Sequence, residues 1–171
     1  MFCPRLFVTL QPETAKLQRM GKTTQERITL AILMLVVGGG LYLSFRPQTL
    51  LLFHIAGSAG LTETIGQWRE LWSGISLPEW VVYSLPGALW VAAYVLLTDL
   101  LQADSSREKR LLWTGLIPVI GVGSEVLQAT GWLPGTADAA DAAAYVLPYL
   151  LYLISKHQQR IQRTIDNAVD R

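Results

Sequence analysis

The sequence predicts an all-α integral membrane protein, with four transmembrane helices and one outer amphipathic helix. Three observations carry this reading. Half of the chain is apolar (51%), and the apolar residues fall in long blocks rather than in alternation. Four blocks, about 28–45, 81–101, 111–130 and 140–155, approach the roughly 20 residues that cross a hydrocarbon core of about 30 Å. The Lys and Arg residues then collect in alternate connections. Five lie in the N-terminal segment up to Arg27, three in the 102–110 loop and four in the tail from Lys156. The two other connections hold only Arg46 and Arg69. Basic connections face the cytoplasm, so both termini are expected there and the segments 46–80 and 131–139 outside.

Composition narrows the function classes. The chain has 171 residues, one domain's worth, and a formal net charge of only +1, which gives no field for nucleic acid. Cys3 is the single cysteine, and His54 and His157 lie far apart, so neither a disulfide framework nor a metal-ligand spacing is present. No cofactor is expected.

Taken in order, residues 1–27 form a polar cytoplasmic segment, within which Met20 is a second possible start. Residues 28–155 form the membrane domain. Its first span, Ile28 to Phe45, is free of charge and bounded by Arg27 and Arg46. Gly38-Gly39-Gly40 inside it either admits a close neighbour or merely weakens the helix. In the outer connection 46–80, Leu50 to Leu61 is too short to span and reads as interfacial or re-entrant. Leu61, Ile65, Trp68 and Trp72 recur at helical spacing, the mark of an amphipathic helix. Such a helix lies on the membrane, covers the mouth of the bundle or packs on its own protein.

The second span begins after Trp80 and should bend at Pro86-Gly87. Asp99, near its other end, reads as a boundary residue that reaches water. The third span, Leu111 to Thr130, is entered by Trp113 and left by Trp132, and the fourth, Ala140 to Ser155, should kink at Pro148. Residues 156–171 form a polar, amphipathic cytoplasmic tail.

The chemistry concentrates in residues 121–152. Glu125 and Gln128 lie near the end of the third span, Leu133-Pro134-Gly135 makes a turn, and Asp138 and Asp141 open the fourth. Gly121, Glu125, Gln128 and Trp132 share one helical face, and Asp138, Asp141, Tyr145, Tyr149 and Tyr152 share another. Glu125 lies roughly 21 Å along the helix from Leu111, at 1.5 Å per residue. The tight turn makes the two helices antiparallel neighbours, so the faces meet in an acidic, hydroxyl-lined groove that opens outward. Ionisable groups inside a membrane are costly and lean towards function. They also serve as interhelical hydrogen bonds or caps, and Gln128 fits that role best, with Tyr149 and Tyr152 as packing. The candidate binding residues are therefore Glu125, Gln128, Asp138, Asp141 and Tyr145. With no Lys or Arg nearby in sequence, such a groove suits a cation, an amine headgroup or a proton relay rather than phosphate. No Ser-His, Cys-His or phosphate-loop constellation accompanies it, which leans away from an enzyme.

The stretch SEVLQATGWLPGTADAAD, residues 124–141, resembles the VanZ-like family of small bacterial membrane proteins. Glu125 and Gln128 match the family's helix-end pair, Pro134-Gly135 its turn, and Asp141 the acid that opens the last helix. The chain departs from the pattern at Thr136, where Arg is frequent, and at Tyr145, where Asn is frequent. It also has SLPEWVVYSLPGALW where a His-bearing motif is common. The resemblance implies a bacterial inner-membrane protein that acts at the outer face, with envelope lipids or lipid-linked precursors as partners besides the bilayer. It also implies a link to glycopeptide resistance.

Overall fold

The computed structural model describes residues 5–48 and 51–169, and among these it is all-helical, without strands. Seven helices follow in order. They are α1 Arg5–Phe45, α2 Leu51–Ser58, α3 Thr62–Glu70, α4 Glu79–Tyr83, α5 Leu85–Leu101, α6 Arg107–Ala129 and α7 Ala139–Val169. Two of them, Gly21–Phe45 within α1 and Arg107–Ala129, are long and apolar enough to cross a membrane.

The first expected span is the second half of α1, because helix formers such as Glu13, Ala15, Lys16 and Leu17 precede it and carry the helix back to Arg5. The second expected span is divided. Proline lacks the N–H of a continuous helix, and the chain turns at Ser84 between α4 and α5, two residues before Pro86. The third starts four residues before the expected 111, where Ser106 caps α6 by accepting the Lys109 N–H at 3.4 Å. The fourth does not stop at Ser155, since the polar tail continues α7 to Val169.

The connection 46–80 resolves into short pieces. α2 has eight residues, about 12 Å of helix, too little to cross a bilayer. It buries Phe53 and Ala56 and leaves Ile55 exposed. Leu50 lies outside the described residues. The expected amphipathic helix is α3, and it packs on the end of α1. Trp68 donates its indole N–H to Ser44 Oγ at 2.7 Å. Arg69 donates to the carbonyls of Leu43 and Arg46 at 2.8 and 2.9 Å, satisfying acceptors that the end of α1 leaves open. No residue of α3 is fully buried, so much of its apolar face stays uncovered.

α5 is the centre of the bundle. It packs against α1 on one side and against α6 and α7 on the other, while α6 and α7 also pack on each other. α5 runs antiparallel to α1 and α6 and parallel to α7, since Gly87 meets Tyr145 and Asp99 meets Tyr152. Gly38 of α1 lies against Trp90 of α5, so close that a Cβ there would sit 2.8 Å from the indole nitrogen, whereas Gly39 and Gly40 face open space. The glycine triplet thus admits a close neighbour at one position of three. Tyr94 of α5 donates to the Trp113 carbonyl of α6. The core is thin: Val91, Val95 and Tyr152, with Tyr94, Leu111, Tyr145, Tyr149 and Leu153 packed around them. Many large apolar side chains are exposed, among them Leu33, Val36, Val119 and Leu151.

Candidate functional site

The α6–α7 hairpin is set by its turn. α6 ends in a left-handed glycine, Gly131, at φ 76°. The Gly131 N–H reaches the Gln128 carbonyl at 3.0 Å and the Trp132 N–H reaches that of Leu127 at 2.9 Å. This paired closure is the motif that satisfies the last carbonyls of a helix, and glycine adopts it without a Cβ penalty. Gln128 then packs flat on Gly135, whose Cβ position would lie 2.9 Å from its amide carbon.

Each predicted residue has a definite place. Glu125 is buried, and its Oε2 accepts the backbone N–H of Asp138 at 2.9 Å. Asp138 is exposed and caps α7, with Oδ1 accepting the Ala140 N–H at 2.8 Å. Asp141 sits in the first turn of α7, where a carboxylate complements the helix dipole. Its Oδ1 is shielded from water and has no hydrogen-bond partner. Tyr145 lays its ring on Gly121, whose Cβ would come within 2.6 Å of it. Glu125 and Asp141 both lie within electrostatic range of the Tyr145 hydroxyl. Glu125, Gln128, Asp138, Asp141 and Tyr145 are therefore brought together at one end of the bundle. Trp132 is not among them, because the chain has left the α6 face there and the residue is 83% exposed.

One cation that sequence reasoning did not connect also belongs to this end. Arg46 acts electrostatically on the same Tyr145 hydroxyl. It donates to the Tyr83 carbonyl at 2.9 Å and stacks its guanidinium over the rings of Tyr83 and Tyr42. Its Nε is buried and unpartnered. The hairpin end thus carries Arg46 as well as acids, against the expectation that no basic group lies near.

The opposite end holds a second polar centre, and here the sequence reading is corrected. Asp99 does not reach water. Its side chain is 2% exposed. Oδ2 takes Arg27 Nη1 at 2.9 Å and Lys156 Nζ at 2.7 Å, and Oδ1 takes the Tyr152 hydroxyl at 2.9 Å. Arg110 Nη1 stands 4.0 Å from Oδ1. One carboxylate therefore gathers side chains from α1, α6 and α7 around α5. Tyr152 is more than packing for the same reason. Tyr149 is mainly packing: it lies on Gly115 and donates to the Leu111 carbonyl at 3.2 Å.

No cluster of three or more metal-ligating His, Cys, Asp or Glu side chains occurs among the described residues. No family model, curated protein or solved structure matches this chain.

Proposed function

We propose that this chain is a four-span bacterial inner-membrane protein of VanZ-like character, with both termini cytoplasmic. In this reading it is a non-enzymatic envelope-associated binding or accessory protein. Its outward hairpin of Glu125, Gln128, Asp138, Asp141 and Tyr145 receives an amine-bearing or cationic group of an envelope lipid or lipid-linked precursor. The membrane reading is supported by the exposed apolar surface between two polar ends, which a water-soluble monomer rarely tolerates. The observation that carries the binding reading is the shielded, unpartnered oxygen of Asp141 beside Glu125 and Tyr145. A buried acceptor without a donor is costly, and an ammonium group supplies the missing donor.

The test compares teicoplanin susceptibility of a sensitive bacterial host carrying empty vector, wild type, Glu125→Gln or Asp141→Asn, at matched membrane expression. Glu125→Gln retains an oxygen for the Asp138 N–H, so it removes charge while leaving the turn in place. Raised tolerance with wild type alone is the expected outcome. Equal tolerance in all four strains would remove the envelope role. Labelling of Thr136→Cys by a membrane-impermeant thiol reagent, against a Cys3→Ser background, is expected from the outside. An unlabelled Cys would reverse the topology.

A second reading, a small proton-coupled transporter for a cation or amine, is favoured by the tyrosine row on α7. Tyr145, Tyr149 and Tyr152 lead from the hairpin acids to Asp99, with the Tyr149 and Tyr152 ring centroids 6.0 Å apart. Uptake into proteoliposomes that depends on an imposed pH gradient, and is lost in Tyr152→Phe, separates it from the first.

A further inference from the structure

The Asp99 centre carries more positive charge than it consumes. Three cations converge on one carboxylate: Arg27, Arg110 and Lys156. The carboxylate is already engaged at both oxygens, Oδ2 by two of the cations and Oδ1 by the Tyr152 hydroxyl. Arg110 is left furthest out, at 4.0 Å. Its Nη2 leans on the Ala103 and Ser105 carbonyls at 3.2 and 3.4 Å, and its Nε–H is buried with no acceptor at all. The three cationic side chains remain 27–33% exposed, so a ligand reaches them without unfolding the centre.

The surroundings of these cations are apolar and open. Ile28 follows Arg27, Leu112 and Trp113 follow Arg110, and Ile154 precedes Lys156, each with 40–69% of its surface exposed. Cations held at the rim of exposed apolar helices match a molecule with an anionic head and hydrocarbon tails. A free anion would use the charges and ignore the flanks.

We infer that the cluster of Arg27, Arg110 and Lys156 binds the phosphodiester headgroup of an anionic phospholipid, with the acyl chains along α6 and α7. This rests on the membrane reading above. It places the lipid in the leaflet on the basic side, where negative surface charge attracts juxtamembrane Lys and Arg. Asp99 competes with the headgroup for these cations, and the headgroup takes the charge that Asp99 leaves unmatched.

The experiment uses the full chain in nonionic detergent, with phosphatidylglycerol or phosphatidylcholine added. Retained lipid is counted by native mass spectrometry, and fold is checked by far-ultraviolet circular dichroism. Wild type should retain phosphatidylglycerol about tenfold over phosphatidylcholine, the scale of two surplus juxtamembrane charges after losses to water and salt. Arg110→Gln and Lys156→Gln should lower that preference to about threefold or less. Arg163→Gln, which removes a charge of the same sign from the exposed tail, should leave it in place. Asp99→Asn removes the competing anion and should keep or raise the preference, so a general loss of fold is told apart from a loss of charge. Equal retention of the two lipids, or equal effects of Arg110→Gln and Arg163→Gln, overturns the site. Protection by millimolar inorganic phosphate as strong as by phosphatidylglycerol overturns the lipid as its ligand. Release of the chain from membranes by alkaline carbonate overturns the membrane reading and the lipid site together, whereas a carbonate-resistant chain without lipid preference overturns the site alone.

Discussion

Lys156 Nζ lies 2.7 Å from the carboxylate of Asp99, which Arg27 approaches from the other side at 2.9 Å. Residues that are 57 and 72 positions from Asp99 in the chain thus share one acceptor. Taking away the acceptor strands its cations, and the cost of breaking a buried pair is about 3–5 kcal/mol when both partners are buried. Here the cations are partly solvated, which lowers the expectation for Asp99→Ala to about 2 kcal/mol. Thermal unfolding in detergent, followed by circular dichroism, should show a clear fall in Tm. A Tm within a degree of wild type would mean that the centre contributes nothing net.

The same centre predicts coupling. Asp99→Asn combined with Lys156→Gln should cost less than the sum of the two single changes, by about 1 kcal/mol, because each single change already removes the shared interaction. A double-mutant cycle with strictly additive values would argue that the two side chains act independently.

Tyr152→Phe removes one donor to a charged acceptor and leaves the ring in the core. A loss of about 1.5–3 kcal/mol is expected, the usual scale for hydrogen bonds to charged groups. The control is Tyr94→Phe, whose hydroxyl serves the Trp113 carbonyl, and it should cost about 1 kcal/mol or less. Equal losses would deny the charge on Asp99 any part in the difference.

Helix contacts built on glycine predict a contrast within the chain. Gly121→Ala drives a methyl to within 2.6 Å of the Tyr145 ring, and Gly38→Ala meets Trp90. Each should cost about 1–3 kcal/mol by overpacking. Gly39→Ala faces open space and should be neutral or stabilising by about 0.5–1 kcal/mol through helix propensity. Unfolding of the three variants side by side reads the contrast directly, and uniform effects would contradict the packing.

Gly131→Ala places a Cβ in a left-handed conformation, at a cost of about 1–2 kcal/mol. It should also loosen the hairpin end, seen as faster amide exchange at Trp132 and Asp138. Unchanged exchange there would show that the turn is held by Glu125 and Gln128 instead.

Much of the fold was legible because its signals are local. Arg27 and Arg46 bracket an apolar run, and Leu133-Pro134-Gly135 falls between two helices. The hairpin residues were legible too, since a short turn forces antiparallel neighbours and brings Glu125 to Asp138. The extension of α7 past Ser155 was not, because a polar helix and a polar tail have the same composition. Asp99 was misread for a deeper reason. Its sequence neighbours are Thr98 and Leu100, and nothing in them tells of Arg27 or Lys156. A helix-end acid can reach water or be buried under its partners, and only the packing of α1 and α7 on α5 decides between the two. Arg46 escaped notice in the same way, being remote in the chain from Tyr145 and near it in space.

The separation between Arg27 and Asp99 has a consequence for how the chain is made. Arg27 is synthesised 72 residues before its acceptor. At about 5–20 residues per second, it waits roughly 4–14 s for Asp99 to leave the ribosome. The last cation, Lys156, comes another 57 residues later. Until then the carboxylate has Arg27 and Arg110 beside it but lacks its Lys156 and Tyr152 donors. A chain cut short before α7 keeps that defect permanently, which gives a cellular quality-control protease a physical mark by which unfinished copies differ from finished ones.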